Sequence, residues 1–311
     1  MLKRLISRLK PGKAANKSSV QKEVVGRDHH CISRSDINEN ALKVLYRLRK
    51  EGYQAFLVGG GVRDLLLRSA PKDFDVATDA HPEEVHKLFR NSRLIGRRFR
   101  LVHVLFGRDV IEVATFRASH NEDHHKQEAA KNDAGMLVRD NVYGDVNEDA
   151  MRRDLTINAL YYNIEDFSVH SYAGGIQDLE QRLIRMIGDP ATRYREDPVR
   201  MLRVARFAAK LDFEVHQDTA EAIPENAELL QDIPAARLFD ESLKLLLSGQ
   251  AVTTFHILRK YNLFAQLFPM TDECLEESEF NQRLIIKALE NTDRRIQQGK
   301  PVTPAYLYAA L

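Results

Sequence analysis

Up to Gly174-Gly175, short β-prone runs alternate with helical periods; beyond that point only helical periodicity remains. A chain patterned this way makes a sheet-bearing first part and an all-helical second part, an α+β organisation rather than a regularly alternating α/β one. Its 311 residues suffice for more than one core, and 43% hydrophobic residues can fill them.

In the first part, Ser35 is placed to cap a helix whose apolar positions Ile37, Ala41, Val44, Leu45 and Leu48 follow the helical period, with Gly52 ending it. Tyr53 to Val58 reads as a strand, followed by Gly59-Gly60-Gly61 and a short helix from Val62 to Leu67. Asp73 to Ala77 reads as a second strand and Pro82 to Phe89 as a helix. Leu101 to Phe106 and Val110 to Phe116 form a hairpin around Gly107-Arg108-Asp109. Ala118 to Asn141 is polar and aperiodic, the pattern of a long functional loop. Helices are predicted around 197–210, 218–230, 235–248, 251–262 and 279–298. The final apolar stretch, Ala305 to Leu311, has no stop signal, as in a chain that continues.

Charge is balanced overall, with 46 Lys+Arg against 45 Asp+Glu, so any site for a polyanion is a local patch. Two stretches qualify. Residues 1 to 50 carry 13 basic and four acidic side chains, and residues 85 to 108 carry seven basic and none acidic. Residues 1–34 read as a flexible basic arm whose amphipathic start could touch RNA or a membrane surface peripherally. No apolar run approaches the roughly 20 residues of a membrane span, and two distant cysteines, Cys31 and Cys274, fit a reducing compartment; a soluble, cytoplasmic protein is expected.

The chemistry concentrates first in Gly59-Gly60-Gly61-Val62-Arg63-Asp64 and Asp73-Phe74-Asp75. Side chains alternate along a strand, so Asp73 and Asp75 share a face. Their mutual repulsion is relieved by a divalent cation, and hard oxygens suit magnesium together with substrate phosphates. Glycines before a helix let backbone approach a phosphate. Glu112, on the second hairpin strand, and Asp154, after Arg152-Arg153, are both able to complete the metal site, and spacing does not rank them; Asp154 equally suits the cap of a helix from Leu155.

A third constellation is Glu196-Asp197-Pro198-Val199-Arg200-Met201-Leu202-Arg203, where a spacing of three puts Asp197, Arg200 and Arg203 on one helical face. A carboxylate accepting from an exocyclic amino group while a guanidinium donates to the neighbouring ring nitrogen is a pairing that adenine and cytosine offer and guanine and uracil do not. An intrahelical salt bridge is the plainer alternative.

In this order, Leu57-Val58-Gly59-Gly60-Gly61-Val62-Arg63-Asp64, Asp73-Phe74-Asp75, Arg152-Arg153-Asp154 and Glu196-Asp197-Pro198-Val199-Arg200 resemble the class II nucleotidyltransferases of the polymerase-β superfamily, over roughly residues 35 to 270. That family includes bacterial poly(A) polymerases and tRNA CCA-adding enzymes. The resemblance implies a polymerase-β-like head with a small mixed sheet (35–175), followed by an all-helical neck (176–250) and body (251–311). It also implies metal on Asp73 and Asp75, the catalytic carboxylates, to which strand position and spacing add Asp154 and Glu112 as candidates. Gly60, Gly61, Arg63, Arg153 and Asp154 would bind nucleotide, and Asp197, Arg200 and Arg203 would select or flank the base.

His30-Cys31-Ile32-Ser33-Arg34, the run from Gly96 to His103, the loop after Arg117 and the run from Ile233 to Glu241 look like the poly(A)-adding branch. The expected reaction is transfer of AMP from ATP to RNA 3′ ends with magnesium, or manganese in its place, and without DNA. Arg97, Arg98 and Arg100 would hold the RNA backbone. The alternatives are CCA addition to tRNA from CTP and ATP, a catalytically silent RNA binder, and a metal-dependent phosphohydrolase using His120, Asp123, His124 and His125.

Overall fold

The computed structural model describes residues 22–96, 100–118, 129–131, 137–140 and 142–311. The strands are β1 (Glu23–Val25), β2 (Ala55–Val58), β3 (Asp75–Thr78), β4 (Ser92–Ile95), β5 (Leu101–Phe106), β6 (Asp109–Thr115), β7 (Ala129–Lys131), β8 (Leu137–Asp140), β9 (Leu160–Asn163), β10 (Val169–Ser171), β11 (Leu183–Ile184) and β12 (Glu214–Val215). Helices in the first part are α1 (Glu39–Lys50), α2 (Gly60–Leu66), α3 (Pro82–Leu88), α4 (Val146–Arg152) and α5 (Gly175–Glu180). The second part is α6 (Pro190–Glu196), α7 (Val199–Leu211), α8 (Gln217–Asn226), α9 (Ala235–Leu246), α10 (Ala251–Lys260), α11 (Leu263–Leu267), α12 (Pro269–Glu277), α13 (Glu279–Gln297) and α14 (Pro304–Ala310).

Eight strands form one mixed sheet in the order β1-β10-β9-β2-β3-β6-β5-β4, in which only β3 and β6 run parallel. Alternation divides its two faces. Leu57 and Val76 lie in the core beneath α1, against Val44, Leu45 and Leu48, whereas Val58 and Ala77 face the other way with Phe116, Ala150 and Tyr161. The first of these cores continues without a break through Val204 and Leu258 to Leu289 and Leu307 in the helical part.

Helix α1 begins later than expected. Its cap is Asn38, whose side chain accepts from Asn40 and Ala41 N–H, while Ser33 caps a preceding 3-10 turn over Arg34–Asp36. The helix closes as the glycine implies: Gly52, at φ +92°, lets its own N–H and that of Tyr53 return to the Arg49 and Leu48 carbonyls.

Over the described residues 22–34 the reading of a free arm does not hold, and residues 1–21 lie outside the described residues. β1 pairs with β10, His30 Nε2 donates to the Phe167 carbonyl at 2.7 Å, and Ile32 is fully buried. Three extended residues joining a sheet edge carry no periodicity of their own, so pattern alone does not find them. The long polar segment is tied at its ends, with Gly144 N–H donating to the Phe116 carbonyl and Ala118 N–H to the Val142 carbonyl; β7 and β8 within it pair with each other. His120, Asp123, His124 and His125 lie outside the described residues. No helix among those described is long and apolar enough to cross a membrane.

In the helical part, α7 packs on α9 and α10, and α10 on α13. All of α7 up to Ala209 is buried except a stripe at Arg200, Arg203 and Arg206, which ends at the exposed Lys210. Spacings of three and four put these cations on one face.

Candidate active site

The sheet register brings the carboxylates together. Asp75 sits opposite Val58 on one side and in parallel register with Glu112 on the other, so both acids project from the face turned away from α1. Strand β3 starts at Asp75 and not at Asp73 as expected, which leaves Asp73 in the segment just before it. Burial pushes the Asp75 carboxyl up to about 6, helped by the charges of Glu112 and Asp73 and opposed by Arg153. Glu112 is half exposed, with His103 Nε2 across the hairpin at 3.5 Å.

Among the described residues no three His, Cys, Asp or Glu groups are drawn together at metal-binding distance. The donor chemistry nevertheless fits a hard divalent cation: crowded carboxylate oxygens, one already reluctant to ionise, are what such an ion relieves.

Two glycines are required at the β2–α2 turn. Gly59 has φ +71°, and a Cβ on Gly61 would come within 3.3 Å of the Asp73 carbonyl oxygen, so Gly61 lets α2 lie against the carboxylate segment. Gly60 is open except for the Arg63 guanidinium at 3.4 Å.

Arg63 does not face open space as the phosphate role requires. It is 2% exposed, donates from Nε and Nη2 to Asp64 Oδ1 at 2.8 and 2.6 Å and from Nη1 to Asn158 Oδ1 at 2.6 Å, and lies over the Phe207 ring. It braces α2 against α7.

Arg152, Arg153 and Asp154, consecutive in the chain, have three separate environments. Arg153 donates to Asp149 Oδ2 and to the Tyr161 hydroxyl at 2.8 Å, lies over that ring, and faces Asp75 and the Gly59 turn. Tyr161 in turn donates to Asp149 at 2.6 Å. Asp154 accepts from Arg203 Nε at 2.6 Å on one oxygen and from Leu155 N–H and Asn158 Nδ2 on the other. Burial alone would raise its pKa, but Arg203 and those two donors hold it at about 2. Both oxygens are thus engaged by protein donors, and Arg203 lies at the join between sheet and helices. The helix expected from Leu155 is a single 3-10 turn over Thr156–Asn158.

Arg152 belongs to a cluster of guanidiniums. Burial, then the charges of Arg117, Arg193 and Arg200, pulls its pKa down to about 9, with Glu196 opposing. Arg193 is pulled down to about 10 by burial and Arg200. Glu196 Oε2 accepts from both Arg193 and Arg200, at 2.7 and 2.8 Å. Guanidiniums do not give up their protons, so this field is a standing demand for anionic charge. Arg117 also lies in the field of Asp149 and Glu112, so the cationic cluster adjoins the carboxylates.

Asp197 ends α6, and one of its oxygens accepts from Arg237 Nη2 of α9 at 2.9 Å. The other, Oδ1, is buried with no hydrogen-bond partner among the described residues. Arg200 donates through Nη1 to the Arg193 carbonyl and to Glu196 rather than to Asp197. Arg117 and Arg237 escape sequence reasoning because their partners lie far away in the chain, and Arg193, although paired with Glu196 three residues on, because its contacts with the Arg152 and Arg153 carbonyls are distant; the arginine density of 193–206 is a local hint. Of the expected RNA contacts, Arg97 and Arg98 lie outside the described residues, and exposed Arg100 donates to Glu83 at 2.5 Å.

A family profile described as "Poly A polymerase head domain" matches residues 55–185, and one described as "Probable RNA and SrmB- binding site of polymerase A" matches 212–275. Poly(A) polymerase I of Salmonella typhimurium is 56% identical over 291 residues, 93% of this chain and 63% of that protein. A CCA-adding enzyme of Bacillus licheniformis is 37% identical over 75% of the chain and 56% of its own length. The chain thus spans less than two thirds of these relatives. The crystal structure of the Bacillus stearothermophilus CCA-adding enzyme in complex with CTP superposes with a TM-score of 0.62 at 25% identity, covering 88% of this chain and 80% of that one.

Proposed function

This chain belongs to the poly(A) polymerase family of nucleotidyltransferases, and from that membership we propose that it extends RNA 3′ ends without a template, adding AMP from ATP and releasing pyrophosphate. The observation that carries the reading is the adjacency of opposite charges: crowded carboxylates on the sheet beside a cluster of guanidiniums close enough to depress one another's pKa. A nucleoside triphosphate answers both.

In this reading Asp73, Asp75 and Glu112 would hold divalent cations, magnesium by the hardness of their oxygens, which when bound acidify the attacking hydroxyl and offset triphosphate charge. Arg117, Arg152 and Arg193 would receive the triphosphate, stabilising charge on the departing pyrophosphate as the RNA 3′-oxygen bonds to the α-phosphorus. Arg153 would keep Asp75 ionised. Asp197 Oδ1 would accept from the adenine amino group, held in place by Arg237, while Arg200 donates to the neighbouring ring nitrogen. Arg63, Asp154 and Arg203 would position these groups from behind. Head, neck and body are proposed over 22–175, 176–250 and 251–311, with RNA on the helical part, and ATP and RNA as substrates put the work in the cytoplasm.

Incubating the chain with each nucleoside triphosphate and two acceptors, an oligoadenylate and a tRNA lacking its end, tests the reading. ATP-only tails that lengthen with time are expected. A stop after three additions that needs CTP would make it a CCA-adding enzyme, and RNA binding without pyrophosphate release would leave only the fold.

A further inference from the structure

One cavity among the described residues lies on the far side of the sheet from the carboxylates. It encloses about 1100 Å³ and runs along the outer face of α1, between the Arg34–Asp36 turn and the Phe89 and Phe106 side chains. Its cations are Arg34, Lys43, Arg47 and Lys50, against a single carboxylate, Glu39. A recess continuing from Arg47 adds Lys87 and Arg90. Among the described residues none of these six cations has a carboxylate partner at ion-pair distance.

The aromatic groups are arranged with the cations rather than apart from them. Arg34 lies over the Tyr46 ring at 5.2 Å and Arg47 over the Phe89 ring at 5.6 Å, and Tyr46 is 39% exposed. Phe89 is buried, so Tyr46 is the ring this groove offers to a base, and with the surrounding cations it meets both needs of a nucleic-acid strand, charge for phosphates and a flat face for stacking. An acidic peptide would use the first and leave the second idle. The positive track continues past Lys87 and Arg90 to exposed Arg93 on edge strand β4. From β3 to that edge the sheet is three strand spacings wide, roughly 15 Å.

We propose that this groove binds single-stranded RNA upstream of the 3′ end, the strand passing from the carboxylates around the β4 edge to the α1 face. The assignment rests on RNA being the acceptor, and it lies outside the 212–275 region whose family description mentions RNA. It makes the head an anchor for the growing tail as well as the seat of chemistry.

Binding of a labelled oligoadenylate of about 20 nucleotides, without ATP or divalent metal, tests it directly. The triple variant Lys43→Glu/Arg47→Glu/Lys50→Glu should bind about tenfold or more weakly, with a salt dependence shallower by about two units of slope. Tyr46→Ala should weaken the single strand by about fivefold and leave a duplex of equal length unchanged. Lys87→Glu/Arg90→Glu on the other wall should repeat the loss, guarding against a folding artefact in α1. Addition of AMP to a saturating acceptor of about four nucleotides should be unaffected in all of them. Wild-type affinity in the triple variant would overturn the proposal. So would equal losses on single strand and duplex with no effect of Tyr46→Ala, the signature of a general polyanion patch. Because binding is read without nucleotide, failure of the unaltered chain to add AMP would strike the adenylyltransferase reading and not this one.

Discussion

Asp75 and Asp154 are both buried acids, and their neighbours push them in opposite directions. Asp75 is raised by burial and by Glu112 and Asp73, so its charge is carried at a cost to the fold. Asp75→Asn should therefore abolish nucleotide addition while leaving the melting temperature of the chelator-treated protein equal or higher, a combination that a core residue would not produce. Asp154 is the reverse. With its folded pKa depressed to about 2, it contributes stability that is fully present above the ordinary carboxylate range near 4 and is lost as the pH falls through about 2. Asp154→Ala removes the partner of a partly solvated Arg203 and the acceptor of Leu155 N–H and Asn158, and should cost about 1–2 kcal/mol in denaturant melts at neutral pH, and less when the unfolding is repeated near pH 2. At Asp197 the free oxygen is held in place by Arg237. Arg237→Ala should lower kcat/KM for ATP by about tenfold and narrow its margin over the other nucleotides in competition assays, since the acceptor is no longer fixed toward the base.

At the scale of elements, the β2–α2 turn joins backbone geometry to chemistry. Gly59→Ala puts a side chain at φ +71° and should destabilise by about 1–2 kcal/mol. Gly61→Ala has an ordinary φ but presses on the Asp73 carbonyl, and should reduce turnover more than stability when both are measured on the same sample. This strand, glycine turn and helix are legible in the sequence because each step obeys a local rule: a β-prone run, a turn residue, a helical period. Asp75 and Glu112 are legible as strand residues on the same grounds, but their pairing is not, since it depends on β3 and β6 being parallel neighbours. The partners Asp154 and Arg203 stand 49 residues apart, and Asp197 and Arg237 stand 40 apart. A carboxylate's local sequence does not say which distant arginine will claim it. β1 escapes detection for a related reason, being defined by β10 and not by its own pattern.

Across the whole molecule, sheet and helices share one unbroken core, and the charged seam between them is made by Arg63 on Phe207 and Asp154 on Arg203. Asp154→Ala and Arg203→Ala should therefore couple in a double-mutant cycle, by about 1–3 kcal/mol, whereas Asp154→Ala with the remote Arg259→Ala should be additive. The α+β division is readable from the loss of strand signals after Gly174-Gly175. The seam is not, because it is built from side chains that look, one at a time, like ordinary surface charges. The sheet's two rims also differ. At one, Glu23–Val25 occupies the hydrogen-bonding groups of β10; at the other, β4 presents Leu94 and Ile95 to solvent with Arg93 beside them. Trimming the protein back to Arg27 would thus bare a second row of unsatisfied amides and carbonyls, and such a shortened version should self-associate through strand addition, seen as a size that grows with concentration.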